Sequence, residues 1–284
     1  LLTDFAQLPG LYYDICEGRL CWNTLHGCGG TDAFGNAYGS SNLLTHRDYF
    51  IRLKRVLEKH GKDKVLFLHA HNRFSPFTHG IGDYWLPGEQ YADAITQNPE
   101  HFYCENIPAG EYQSAYYTPI HGSGVVFMSV YQITMWRLKL KENYYAPRYA
   151  LSMLTPALLH DMNISNCYIN HKTVERWWII KHDINLADAK FHGYWFSGAV
   201  RSDSGKVYVS WYEWEKPSPY SRLLIVGNTG RKEQPAALKI DWKKLGLAPE
   251  KAHLHDLWEN REISSLDSLR VKGNNFLLIG ITAK

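Results

Sequence analysis

The chain has 284 residues, a formal charge of +3 and 45% apolar residues, and no apolar run approaches the roughly 20 residues that cross a bilayer as a helix. Its basic residues form no stripe, so neither nucleic acid nor a membrane is an expected partner. The 19 Tyr, 11 Phe and 10 Trp suit stacking on sugar rings and suit β-sheet cores equally, so their number selects nothing by itself.

The sequence begins Leu-Leu-Thr, with neither an initiator Met nor a signal peptide, the start expected of a fragment or a processed product. The first ordered signal is Leu11-Tyr12-Tyr13, a short β-prone run that changes within one residue to Asp14 and then to a polar loop carrying Cys16, Asn23, His26 and Cys28. A buried strand that closes on a carboxylate and opens into such a loop is the layout of a (β/α) barrel, whose functional side chains sit at the carboxyl ends of its strands. Of the five cysteines, Cys16, Cys21 and Cys28 share this loop, while Cys104 and Cys167 stand alone. The three with His26 offer a zinc reading, but their spacings of five and seven residues differ from the short Cys-x₂₋₄-Cys knuckle, so no metal or other cofactor is expected.

Thr45-His46-Arg47-Asp48 has the form of a capping box, followed by apolar residues at Phe50, Leu53, Val56 and Leu57 before Gly61, the pattern of one amphipathic helix. Val65 to Leu68 then reads as a buried strand ending in His69-Ala70-His71, so strand, helix and strand make a βαβ unit with a parallel sheet. Asp83-Tyr84-Trp85 leads to Gly88-Glu89, and Gly124 to Met128 is another buried strand. Pro147 opens a helix through Leu154 that is expected to stop near Pro156, and Ala157 to Leu159 ends in His160-Asp161. From Gly193 the pattern changes to short alternating strands, Lys206–Trp214, Ser221–Gly227, Ala236–Trp242, Ala252–Trp258 and Ser268–Ile281, which read as an antiparallel β-sandwich. Within it, His255-Asp256-Leu257-Trp258 belongs to the strand pattern and is read as structural.

The fold expected is therefore α/β: a partial (β/α)₈ TIM-type barrel, truncated at its N-terminus, over residues 1–192, then an antiparallel β-sandwich over residues 193–284. Strand-end Asp14 and loop Glu89 are the two carboxylates that glycosidic bond cleavage needs, with Tyr13, Asn23, His26, His69, His71, Asp83 and Trp85 lining a sugar site. Two other readings stay open. In one, His69 and His71 bind a metal, completed by His160-Asp161, in a metal-dependent hydrolase; in the other, the chain binds glycans without cleaving them.

Taken together, Tyr12-Tyr13-Asp14, the Asn23-x-x-His26-Gly27-Cys28-Gly29 loop, the helix with Arg47 and Arg52, the strand ending at His69, and Gly88-Glu89 resemble the glycoside hydrolase family 123-like proteins. The resemblance implies a (β/α)₈ catalytic barrel followed by a β-sandwich, a carbohydrate substrate, a secreted or periplasmic location, and exo-acting β-N-acetylgalactosaminidase-like chemistry. In that chemistry the substrate's own acetamido oxygen attacks the anomeric carbon, one carboxylate orients the acetamide and a second acid protonates the leaving oxygen. The sequence departs from the family in two respects. No Asp-Glu dipeptide occurs in it, and about 190 residues precede the sandwich against roughly 250 for a complete barrel. Both departures are expected of a barrel truncated at its N-terminus, or of a divergent branch in which Asp14 serves.

Overall fold

A computed structural model describes residues 8–16, 18–69, 75–117, 122–137, 139, 145–196, 198–215 and 218–283. The chain divides into two compact units: residues 1–90 with 118–127, and residues 91–117 with 128–284. No helix among the described residues is long and apolar enough to cross a membrane.

The first unit is built on a parallel sheet. β1 (Gly10–Tyr13) pairs with β5 (Val65–His69), β5 with β6 (Tyr84–Leu86), and β6 with β7 (Gly124–Phe127), all in parallel. Between β1 and β5 the chain makes a three-stranded excursion, β2 (Leu20–Cys21), β3 (Gly29–Thr31) and β4 (Ala37–Ser41), and then α1 (Leu43–His60). The expected βαβ unit is present. Its helix starts earlier than the capping box suggested, because Asn42 is the N-cap and Thr45 lies inside the first turn.

The register of the sheet decides which side chains share a face. Tyr13 opposes Leu68 and Leu11 opposes Leu66, and this set faces α1: Tyr13 packs on Tyr49 and Phe50, with ring centroids 5.5 and 5.0 Å away. Full burial of Phe50 here contributes roughly 1.5–3 kcal/mol. The alternate residues, Tyr12, Phe67 and Tyr84, form an aromatic row on the other face, with centroids 6.0 and 5.8 Å apart. At the amino end of β6, Asp83 anchors the helix to the sheet. Its carboxylate accepts the Leu66 amide at 2.7 Å and holds the Lys54 ammonium of α1 at 2.6 Å.

The second unit begins with short helical turns, α2 (Phe102–Glu105), α3 (Ala109–Glu111) and α4 (Tyr131–Arg137), followed by α5 (Pro147–Leu159), the two-residue strand β8 (Asn163–Ile164) and α6 (His171–Asp183). α5 continues past Pro156, where the sequence suggested a stop. Proline supplies no N–H to the carbonyl four residues back. That carbonyl, of Ser152, instead accepts the Cys104 thiol at 3.2 Å. Ten of the 13 residues of α5 are buried, which marks a helix covered nearly all round.

What covers it is a six-stranded antiparallel sheet. Its strands are β9 (Ala189–His192), β11 (Val207–Trp214), β12 (Arg222–Asn228), β15 (Ala252–Asp256), β16 (Arg261–Ile263) and β18 (Asn275–Ala283), in the order β16-β15-β18-β12-β11-β9. One face carries Val207, Val209, Trp211, Leu224, Val226, Ile279 and Ile281 into a core closed by two small antiparallel pairs. These pairs are β10 (Val200–Ser202) with β14 (Leu238–Ile240), and β13 (Gln234–Pro235) with β17 (Arg270–Val271). The other face lies on α5, so β12 is buried on both sides and reads as a continuous apolar run.

Two expected strands are divided. Ala236–Trp242 ends at Ile240, because Asp241 accepts the Lys244 amide at 3.1 Å and caps the short helix α7 (Trp242–Leu245). Ser268–Ile281 is cut into β17 and β18 by the turn at Gly273-Asn274. The His255-Asp256-Leu257-Trp258 segment is structural as read, with Asp256 accepting the amides of Trp258 and Glu259 at 3.1 and 3.2 Å.

Gly227 of β12 is required by close approach of the helix, since a Cβ there would lie 2.7 Å from Leu159 Cδ1 and 2.9 Å from its Cγ. Gly227→Val is expected to destabilise the second unit by about 1–3 kcal/mol in urea titrations, through overpacking against a fully buried leucine.

Candidate active site

Three neighbouring parallel strands each place one ionisable side chain at or just beyond their carboxyl ends. Asp14 follows β1, His69 closes β5, and Glu89 lies three residues beyond β6. Since Tyr13 opposes Leu68 and His69 opposes Leu86, in-register pairing alone brings these positions to one end of the sheet. Gly88, at φ +129°, provides a backbone conformation that L side chains rarely adopt just before Glu89.

The middle side chain links the outer two. His69 Nδ1 is 2.5 Å from Asp14 Oδ1, and its Nε2 is 3.5 Å from Glu89 Oε2. The two carboxylates are thus one imidazole ring apart, no more than about 8 Å oxygen to oxygen, within the span over which two carboxylates serve one glycosidic bond. Tyr12 belongs to the same group: its hydroxyl is 2.9 Å from His69 Nδ1 and donates to Asp14 Oδ1 at 3.2 Å. The Ile15 amide donates to the same oxygen at 3.0 Å, from a residue at φ +52°. A left-handed conformation at a β-branched residue is costly and is a feature of functional sites.

A buried layer supports the histidine. The backbone carbonyl of His69 accepts the Cys16 amide at 3.1 Å and the Cys16 thiol at 2.9 Å. Cys16 Sγ in turn lies 3.2 Å from His79 Nε2, and His79 Nδ1 accepts the Ser75 amide at 2.6 Å. With Nδ1 accepting, the neutral His79 ring carries its proton on Nε2, toward the sulfur. Trp85 packs beside His79 at a centroid distance of 5.5 Å.

The electrostatics separate the members of the cluster. Burial works to raise the Asp14 carboxyl, but the hydrogen bond and charge of His69, with the Tyr12 hydroxyl and the Ile15 amide, outweigh it and hold the group below the usual carboxylate range. Asp14 is therefore ionised at neutral pH. The Tyr12 hydroxyl is pushed well above its ordinary value by burial, then by the adjacent Asp14 charge and hydrogen bond, so it remains a proton-bearing donor.

Of the residues expected at a sugar site, the structure brings together Asp14, His69 and Glu89. Tyr13 faces α1, Trp85 is buried in the core, and Asp83 stands at the opposite end of β6, about 10 Å of strand from Leu86. Asn23 and His26 lie in the excursion after β1, where the Asn23 side chain accepts the Leu25 amide at 2.8 Å. His71 lies outside the described residues. His160 has both ring nitrogens engaged, with the Pro156 carbonyl at 2.7 Å and the Tyr194 hydroxyl at 3.2 Å, and its ring is stacked between Tyr112 and Trp195. Burial lowers its pKa to about 4, the mark of a neutral core histidine. Asp161 is engaged by the Tyr212 hydroxyl at 2.6 Å. Tyr12 is the residue that sequence reasoning passed over. Its signal was parity, since residues two apart on a strand share a face and Tyr12, not Tyr13, lies on the side of Asp14.

The profile of the glycoside hydrolase 123 C-terminal domain matches residues 173–281, from α6 through the last strand of the six-stranded sheet. Over this stretch, somewhat more than a third of its length, the chain is similar to that domain. Among solved structures, an α-amylase from Anoxybacillus shares 11% identity over 84% of this chain and 56% of its own, with a TM-score of 0.44. The noncanonic maltogenic α-amylase AmyB from Thermotoga neapolitana shares 11% identity over 99% of this chain and 81% of its own, with a TM-score of 0.49. This chain thus spans about half the length of the Anoxybacillus enzyme, and both likenesses are distant ones of shape. No curated protein sequence matches.

The family match falls in the second unit and the carboxylate–histidine cluster in the first. The depressed Asp14 carboxyl contributes stability that is present above the unfolded value near about 4 and lost as pH falls through the folded value. His69→Ala is expected to raise the Asp14 carboxyl toward that ordinary value, read by NMR titration of the carboxyl carbon. An unmoved titration would show that His69 does not hold it.

Proposed function

We propose that this chain hydrolyses glycosidic bonds at the carboxyl end of its parallel sheet, with Asp14 and Glu89 as the working carboxylates and His69 between them. The observation that carries this reading is the single imidazole linking two strand-end carboxylates, and the glycoside hydrolase 123 domain supports it. Glu89 donates its proton to the leaving glycosidic oxygen as the bond to the anomeric carbon breaks. Asp14, kept ionised by His69 and Tyr12, faces the side on which positive charge develops and orients the nucleophile. Tyr12 and His69 are positioning residues for that carboxylate.

The family resemblance supports a finer reading, in which the substrate is a terminal β-linked N-acetylgalactosamine. Its acetamido oxygen then attacks the anomeric carbon while Asp14 accepts the acetamide N–H; water opens the resulting ring, giving a proton back to Glu89. The strand–helix–strand order and the polar strand ends support assigning residues 1–192 to part of a (β/α) barrel and residues 193–284 to an accessory β-sandwich.

The test is hydrolysis of a panel of aryl β-glycosides that includes the N-acetylgalactosaminide and the galactoside. Turnover by the wild-type chain is expected, and Asp14→Asn and Glu89→Gln are each expected to lower kcat about 10²–10⁴-fold with the circular dichroism spectrum unchanged. Wild-type turnover in either variant would remove that carboxylate from the mechanism, and sugar binding without any hydrolysis would replace the enzyme by a glycan-binding protein.

A further inference from the structure

The excursion between β1 and α1 has almost no core of its own. Across residues 20–41 only Gly29 is buried, while Trp22, Leu25, Phe34 and Tyr38 are exposed. β2, β3 and β4 pair through a few rungs each. So small an element cannot be stabilised by apolar burial, and in natural proteins such elements are held by a disulfide or a metal.

Three ligand-bearing side chains converge on this excursion. Cys21 ends β2, Cys28 immediately precedes β3, and His26 lies on the turn between them; one ligand atom from each falls within 4.8 Å of the others. The convergence is made by the backbone. The Asn23 carbonyl accepts the amides of Cys28 and Gly29 at 3.1 and 3.0 Å, folding residues 23–29 back on themselves, and the Cys28 carbonyl accepts the Ser40 amide at 2.7 Å, fixing the loop to β4. Cys21 Sγ and His26 Nε2 are 3.6 Å apart. Two ligands of a tetrahedral zinc ion, with Zn–S near about 2.3 Å and Zn–N near about 2.0 Å, are separated by about 3.5 Å. The Cys21–His26 separation matches one edge of such a tetrahedron.

We propose that Cys21, His26 and Cys28 bind one zinc-class divalent cation that staples this excursion together, with the fourth position open to water. Thiolate and imidazole donors select zinc over the hard cations magnesium and calcium, which take oxygen ligands. Two thiolates and a neutral imidazole balance the charge of the ion. The short sequence form is Cys-x₄-His-x-Cys. Sequence reasoning weighed zinc on Cys16, Cys21 and Cys28 with His26 and set it aside because the cysteine spacings differ from the Cys-x₂₋₄-Cys knuckle, whereas the structure leaves Cys16 out of the cluster and places the histidine between the other two. The ion holds the loop that emerges from Asp14, so it is structural and stands independently of the proposed hydrolysis.

The chain reduced and freed of metal is titrated with Co²⁺ and then competed with Zn²⁺. One equivalent of Co²⁺ is expected to give a thiolate-to-metal charge-transfer band and the visible bands of a tetrahedral ion, both erased by one equivalent of Zn²⁺. Cys28→Ser and His26→Gln are each expected to weaken binding roughly a hundredfold or more, and Cys167→Ser, at an exposed cysteine outside the cluster, to leave it unchanged. Zn²⁺ is also expected to protect residues 20–41 of the wild-type chain from limited proteolysis, a readout that does not depend on any variant folding. Absence of a stoichiometric band would overturn the proposal, as would recovery of a Cys21–Cys28 disulfide from protein purified without reductant and with its thiols blocked.

Discussion

The chemistry assigned to the carboxyl end of the parallel sheet depends on one contact, between Asp14 Oδ1 and His69 Nδ1. Asp14 is more than half exposed, so solvent screens it and the bare charge of the pair contributes little to stability. What the contact does is fix a direction. It aligns the Asp14 carboxylate and turns the far nitrogen of the ring toward Glu89. Cys16 and Tyr12 act on the same pair, one by holding the His69 backbone from below and the other by bonding to both partners. A pair of this kind is set before any ligand arrives, which lowers the cost of reorganising the site when charge develops.

Parallel pairing makes such an arrangement inexpensive to build. Once Tyr13 is level with Leu68 and His69 with Leu86, residues just past each strand must appear at one rim, on three loops that are free to differ. The opposite rim has a different task. There Asp83 spends its carboxylate on the Leu66 amide and on Lys54, tying α1 to the sheet. Two acidic residues of one short segment, Asp83 and Glu89, thus have unrelated roles because a strand lies between them.

Much of this was legible in the sequence. The abrupt change from Tyr13 to Asp14, the polar end of the Val65–Leu68 run and the βαβ order all correspond to observed elements, and Asp14, His69 and Glu89 do converge. What could not be read was three-dimensional. Nearness in sequence to Asp14 and Glu89 placed Trp85, Tyr13 and Asp83 near a sugar site, but the face and the rim on which a strand residue lies depend on register, and these three are turned inward, toward the helix or to the far end. Pro156 was taken as a stop because the sequence did not reveal that the Cys104 thiol would replace the missing donor. The strand pattern of the last third was clear where alternation was strong, as in β11 and β12, and failed where an Asp cap or a Gly-Asn turn divided a run.

The most direct measurement is a crystal structure of the chain with N-acetylgalactosamine bound. The account requires the sugar ring to lie over His69 with the anomeric carbon between Asp14 and Glu89, and the acetamide within hydrogen-bonding distance of Asp14. A sugar bound elsewhere, with Asp14, His69 and Glu89 untouched, would contradict it.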